Sequence, residues 1–150
     1  MMIRHKKIVS ISIQDTIHKK KYLTKKQCEK WVGALATEPS DITLRIVDKN
    51  ESKKLNKQFR NKIGATNILS FQMNANPIKG DLVLCHPVIK KEAKTQGKKI
   101  INHYAHLIIH GYLHLLGYDH QNNVDADKME TMERKILSKF NINDPYSDKK

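Results

Sequence analysis

Five histidines crowd into the run HYAHLIIHGYLHLLGYDH, from His103 to His120. In a helix reaching about Leu116, residues three and four apart share a face, so His103, His106, His110 and His114 fall on one stripe. His110 and His114 are one turn apart, and imidazoles at that spacing project side by side and can hold one metal ion. Gly117 can end the helix in a left-handed conformation without steric cost. Tyr118 and Asp119 then span a turn, and His120 returns toward His114 as a candidate third ligand. His103 cannot join them, because eleven residues at about 1.5 Å rise set it roughly 16 Å from His114. The competing reading is an ordinary buried helix that happens to be rich in histidine. Against it stands the cost of burying several imidazoles without partners, which a metal ion removes at once.

Three neutral imidazoles leave zinc its full double charge and an open fourth position, the arrangement of a catalytic site. Water at such a site ionises near neutral pH, and the metal polarises a phosphoryl oxygen. The residue after His110 is Gly111, where zinc peptidases of the HExxH type carry their general-base glutamate, so peptidase chemistry would need another base. Asp119 is one candidate, although beside His120 it can equally be a turn residue or support a ligand.

The run HGYLHLLGYDH resembles the signature of the bacterial YbeY endoribonucleases, zinc-dependent enzymes of rRNA maturation. The resemblance implies that His110, His114 and His120 hold one Zn2+ per chain and that His114 belongs to the catalytic centre. A second tract, FRNKIGATNILSF from Phe59 to Phe71, is similar to the family tract ending in TNVLSF, in which an arginine just upstream faces the active site. Arg60 matches that arginine, which implies a catalytic role for it. The chain departs from the family pattern at Ile63, where many relatives carry aspartate, and at Ala65, where proline is common. The resemblance covers roughly residues 8 to 140. It implies a single-strand-specific endoribonuclease acting in rRNA maturation, including 16S rRNA 3′-end processing, and in ribosome quality control. The implied partners are rRNA, ribosomal subunits and ribosome-associated proteins. From the residues themselves two other classes stay open: a zinc hydrolase of peptides or small amides, and a non-catalytic ribosome-associated RNA-binding protein. In the latter a structural zinc would be closed by a fourth ligand such as His106 or Asp119.

The elements that must position these residues can be read from periodicity. Ile8 to Ile13 and Asp41 to Asp48 alternate apolar and polar residues, the pattern of half-buried strands. Thr24 and Gln27 form a capping-box pattern for a helix to about Thr37, with Cys28, Trp31, Val32 and Leu35 on its apolar face. Leu55 and Phe59, four apart, place a helix from Asn50 to about Asn61 on the sheet. Ile68 to Phe71 reads as a strand, Met73 to Lys79 as a loop, and Gly80 to Cys85 (GDLVLC) as a short apolar strand, similar to a family tract at this place. Pro87 opens a helix to about Gln96, ended by Gly97. After the histidine helix, Gln121 to Asp127 caps a last helix with Met129, Met132, Ile136 and Leu137 as its buried face, and the tail from Asn141 is polar. This mixture of strands and helices predicts an α+β fold with one small sheet covered by helices. The resemblance adds that the sheet is four-stranded and mixed and that the metal-bearing helix is zincin-like.

A chain of 150 residues with 39% hydrophobic content fits one domain spanning 1–150, with a core of its own at about 8–140. Cys28 and Cys85 stand far apart and form no CxxC, which predicts a reducing, cytoplasmic setting without a disulfide framework. The basic residues Arg4, Lys6 and Lys7 precede an apolar run too short for a signal peptide, and no stretch approaches the ~20 apolar residues of a membrane span. The formal charge of +13 points to a polyanionic partner. Only Arg4, Arg45, Arg60 and Arg134 of the 28 basic residues are arginine, and so lopsided a ratio can equally reflect compositional bias. Either way, dispersed lysines make a positive field that favours encounter with RNA at low salt.

Overall fold

The computed structural model describes residues 8–17, 22–118 and 123–146. Asp119 and His120 lie outside the described residues, as do the first two residues of the stretch expected to cap the last helix.

The elements run β1 (Val9–Asp15), α1 (Lys25–Gly33), β2 (Ser40–Val47), α2 (Lys49–Arg60), β3 (Ile68–Ala75), β4 (Ile78–Cys85), α3 (His86–Thr95), α4 (Ile100–Leu115) and α5 (Asn123–Lys139). The four strands form one sheet in the order β1-β2-β4-β3. β1 and β2 are parallel, as are β2 and β4, while β3 lies antiparallel on β4, so the fold is α+β with a mixed four-stranded sheet.

Alternation decides which strand side chains face which layer. Ile42, Leu44 and Ile46 of β2 are almost fully buried and join Leu82 and Leu84 of β4 in the larger core, against α1, α4 and α5. Val83 and Cys85 point the other way, into a smaller core with Val47 and Leu69 that Leu55 of α2 helps to cover. Because the second half of β4, Leu82 to Cys85, is buried on both faces, it reads as a continuous apolar run without alternation. The capping box of α1 forms as expected: Gln27 N–H donates to Thr24 Oγ1 at 3.2 Å, and Thr24 N–H donates to Gln27 Oε1 at 3.3 Å.

The structure corrects three expectations. Helix α1 stops at Gly33, short of Thr37; the N–H groups of Leu35 and Ala36 both turn back to Val32 O before the chain reaches Pro39, whose ring disfavours helix in the residue ahead of it. The supposed loop from Met73 to Lys79 is mostly strand, since Asn74 pairs with Lys79 and Ala75 with Ile78 across a tight turn. Those residues of β3 are exposed, and the solvated end of an edge strand needs no apolar face. Phe59 is not buried against the sheet, although its ring touches Phe71 of β3. The inward positions of α2 are Ser52 and Asn56, which hold the following loop, and Phe59 stays 57% exposed.

Helix α4 is the centre of the larger core, burying Tyr104, Ala105, Leu107, Ile108, Ile109, Tyr112 and Leu113. It packs tightly on the sheet at Gly111, where a Cβ would stand 2.7 Å from Ile68 Cδ1 and 2.9 Å from Leu82 Cδ2. Any larger residue would require the ends of the Ile68 and Leu82 side chains to shift. Gln72 Nε2 of β3 donates to Leu115 O at 2.8 Å, tying the edge strand to the end of the helix.

Candidate metal centre and its cleft

The histidine stripe of α4 forms as the spacing predicts: successive ring centroids lie 6.1 Å apart from His103 to His106, 6.2 Å from His106 to His110, and 4.7 Å from His110 to His114. The last pair is distinct. His114 Nε2 and His110 Nε2 stand 3.1 Å apart, while both Nδ1 atoms are engaged elsewhere. His110 Nδ1 faces Glu133 Oε1 at 2.9 Å, and His114 Nδ1 faces the Tyr118 carbonyl at 3.1 Å. A carbonyl or an ionised carboxylate can only accept, so each Nδ1 carries a proton and each ring turns its Nε2 toward the other. Two unprotonated Nε2 atoms at that distance repel, and either a proton on one of them or a cation held between them removes the repulsion. Nitrogens about 2.0–2.1 Å from a tetrahedral zinc would sit roughly 3.3 Å apart, so the donors present fit a metal.

Glu133 of α5 is 0% exposed and supports three groups. Its Oε1 accepts from His106 Nε2–H at 2.9 Å as well as from His110, and its Oε2 accepts from the Tyr146 hydroxyl at 2.9 Å. Burial alone would raise its pKa, but the hydrogen bonds from His106 and His110 outweigh burial and bring it down to about 2. Burial also lowers the pKa of His106, against the pull of Glu133. Both imidazoles thus donate to a fixed negative charge. His106, His110 and Glu133 are themselves close enough to hold a metal ion, with one donor atom from each within 4.8 Å of the others. Two donor sets therefore meet at His110.

His110 and His114 open onto a cleft of about 740 Å³ lined by Arg60, Phe59, Lys62, Asn67, Ser70 and Phe71, among others. Arg60 ends α2, where Asn61 adopts a left-handed φ of 53°, and among the described residues it makes no hydrogen bond or ion pair. The loop beyond is fastened from inside: Asn56 Nδ2 donates to Gly64 O at 2.9 Å, Ser52 Oγ donates to Thr66 O at 3.0 Å, and Thr66 N–H returns a bond to Ser52 Oγ. Asn67 Nδ2 donates to Glu92 Oε1 at 3.1 Å, and the same carboxylate accepts from His103 Nε2 at 2.9 Å. The loop holds its place although Ile63 and Ala65 depart from the family pattern, because its anchors are Ser52, Asn56 and Glu92.

The structure thus brings His110, His114 and Arg60 to one cleft, whereas His120 lies outside the described residues. His106, weighed as a fourth ligand, commits its Nε2 to Glu133, and His103 serves Glu92. Sequence reasoning missed Glu133, Glu92 and Asn67. Glu133 carried a signal, being a carboxylate inside the apolar stripe of Met129, Met132, Ile136 and Leu137.

The family model for endoribonuclease YbeY matches residues 6–141. The chain belongs to the YbeY endoribonuclease family. An endoribonuclease YbeY of Nitrosomonas eutropha is 51% identical over 118 residues, covering 78% of this chain and 84% of that protein. The YbeY of Nitrosomonas europaea is 43% identical over 143 residues, 95% of this chain and 87% of that one. A Thermotoga maritima protein solved in solution superposes with a TM-score of 0.58 at 21% identity, over 93% of this chain and 95% of its own, a likeness of fold. No helix among the described residues is long and apolar enough to cross a membrane.

Proposed function

We propose that this YbeY family member is a zinc-dependent, single-strand-specific endoribonuclease of rRNA maturation, including 16S rRNA 3′-end processing and ribosome quality control. It works in the cytoplasm as one metal-dependent hydrolase domain, on rRNA within ribosomal subunits and alongside ribosome-associated proteins. The observation that carries the reading is the facing pair of Nε2 atoms, 3.1 Å apart, in the same cleft as the Arg60 guanidinium, which has no partner among the described residues.

His110 and His114, with His120 as third ligand, form an imidazole set that suits zinc. Zinc bound there supplies Lewis acidity, which makes water a stronger acid and polarises a phosphoryl oxygen. The protein does the rest. Glu133 and the Tyr118 carbonyl fix the tautomers and aim the rings. Arg60 offers a planar fork of N–H donors to the phosphate oxygens where charge develops, and Lys62 adds positive charge on the cleft wall. The net charge of +13 concentrates a polyanion around the molecule.

The peptidase alternative loses its usual base for a steric reason. A glutamate at position 111 would have to pass between Ile68 and Leu82, which already crowd a bare Cβ.

The test is purified protein, with and without chelator, on single-stranded and structured RNA, with end-group analysis of the products. Chelator-sensitive internal cleavage is expected. A cyclic 2′,3′-phosphate would assign the attack to the RNA hydroxyl, and a 5′-phosphate with a 3′-hydroxyl would assign it to water. Cleavage of peptides with no action on RNA would overturn the reading.

A further inference from the structure

Phe59 is a large aromatic side chain that the fold leaves mostly exposed beside the cleft. It occupies the next-to-last position of α2 and stays 57% exposed, while Leu55, one turn earlier, packs on the smaller core. Its ring meets Phe71 of β3 in an edge-to-face arrangement, centroids 5.1 Å apart and planes at 70°. Such a contact occupies at most one face of the Phe59 ring. Both rings line the cleft that His110 and His114 open onto, and Arg60 follows Phe59 directly in the chain.

We propose that Phe59, backed by Phe71, stacks an unpaired base of the RNA whose phosphate Arg60 receives, which makes the cleft selective for single strands; this rests on the endoribonuclease reading above. The surroundings decide in favour of a base. An apolar peptide side chain would cover the rings but leave Arg60 and Lys62 uncompensated, whereas a nucleotide brings a π-face and a negative charge together. Thr66, Asn67 and Ser70, also in the lining, offer polar groups to the edge of such a base. Bases of a duplex are already stacked on their neighbours and cannot present a face to the ring, so an aromatic platform reads unpaired RNA.

The experiment uses dye-labelled 2′-O-methyl oligonucleotides, single-stranded and annealed to their complement, with Phe59→Leu and Phe59→Trp variants. Truncating a stacking aromatic typically weakens binding about 5- to 150-fold. Phe59→Leu should therefore bind the single strand that much more weakly and the duplex unchanged, and Phe59→Trp should restore affinity to near wild type. The one native tryptophan, Trp31, is 5% exposed, so the new indole should be the fluorophore that the single strand quenches. An abasic site scanned along the strand should, at one position, weaken wild type but not Phe59→Leu. That scan on wild type and the tryptophan signal decide the matter even if the leucine variant folds poorly.

Unchanged affinity in Phe59→Leu would overturn the proposal, as would equal losses on single strand and duplex or on intact and abasic strands. None of these readouts needs cleavage. A chain that binds through Phe59 but never cuts RNA sinks the nuclease reading and leaves the stacking; one that cuts RNA with affinity indifferent to Phe59 sinks the stacking alone.

Discussion

Glu133 Oε1 meets His110 Nδ1 at 2.9 Å, across the packing of α5 on α4. The carboxylate has no exposure to water, and its hydrogen bonds keep it ionised, so its charge is spent on the imidazole stripe. A buried anion behind a ligating ring fixes the tautomer and raises the basicity of the far nitrogen.

Replacing it with glutamine keeps the shape but removes the charge and one acceptor. Metal affinity of Glu133→Gln should fall about 10- to 100-fold, measured by chelator competition. Glu133→Ala should also destabilise the fold, by about 1–3 kcal/mol for each buried donor left unsatisfied, read by denaturant unfolding. Wild-type metal retention in the glutamine variant would show that the charge is not used.

The proposed role of Arg60 is in catalysis and not in folding, since its side chain lines the cleft, is exposed and makes no bond among the described residues. Arg60→Ala should cut RNA about 100- to 1000-fold more slowly, the usual effect of losing one preorganised donor. Arg60→Lys should also be impaired, since lysine keeps the charge but loses the planar fork. Both should keep the metal and the melting temperature of wild type. Near-normal cleavage by the alanine variant would remove Arg60 from the mechanism.

Much of the fold was legible because its signals are local. Ile42, Leu44 and Ile46 alternate, Thr24 and Gln27 cap, and the stripe from His103 to His114 follows from helix geometry alone. The failures are non-local. Phe59 fits a helical apolar pattern as well as Leu55 does, and nothing nearby in sequence says that Ser52 and Asn56 take the inward positions in order to hold the loop. Residues 73–79 read as a loop because pairing with β4, not their own composition, makes them strand. In the site, the HxxxH pair announces itself by spacing, whereas the partners of its second nitrogens come from elsewhere. Glu133 lies on another helix and Tyr118 contributes only its carbonyl, which no side-chain pattern encodes.

The Glu92 network adds a pH dependence. Burial pushes the Glu92 carboxyl up, but the hydrogen bonds from His103 and Asn67 more than offset this and its pKa lies below the usual carboxylate value. A carboxylate depressed in the folded state contributes stability above its unfolded pKa, about 4.3, and that contribution is lost as pH falls through the folded value. Glu92→Gln should therefore lower stability at pH 6 to 7 and narrow its gap to wild type in more acidic solution, measured by urea unfolding at each pH. A gap that stayed constant into acid would contradict this account. Asn67 lines the cleft, so the variant should lose some RNA cleavage as well.

Gly111 is a steric prediction. Even alanine places a Cβ at 2.7 Å from Ile68 and 2.9 Å from Leu82, so α4 must lift from the sheet or both side chains must shift. Overpacking of this kind typically costs about 1–3 kcal/mol, and Gly111→Ala should show it as a lowered unfolding midpoint. Gly111→Glu should fail to fold stably and should gain no peptidase activity. A stable glutamate variant would mean that the helix has room the structure does not show.

The two donor sets that share His110 can be separated by single substitutions. If the metal sits between the Nε2 atoms of His110 and His114, His114→Ala removes a ligand and metal binding should collapse. His106→Ala then removes only a neighbour of Glu133, and binding should weaken modestly, because Glu133 keeps its bond to His110. If the metal instead sits among His106, His110 and Glu133, the order reverses and His114→Ala is the mild variant. The proposed function rests on the first arrangement. Glu133 Oε1 lies 2.9 Å from a ring nitrogen of both His106 and His110, a distance that protons already satisfy, whereas the facing Nε2 atoms have their protons on the far side of each ring. Zinc or cobalt titration of the two variants, with cobalt absorption reporting the ligand field, measures the order directly. Binding that survives in His114→Ala and vanishes in His106→Ala would move the metal to the buried set behind the cleft, out of line with Arg60.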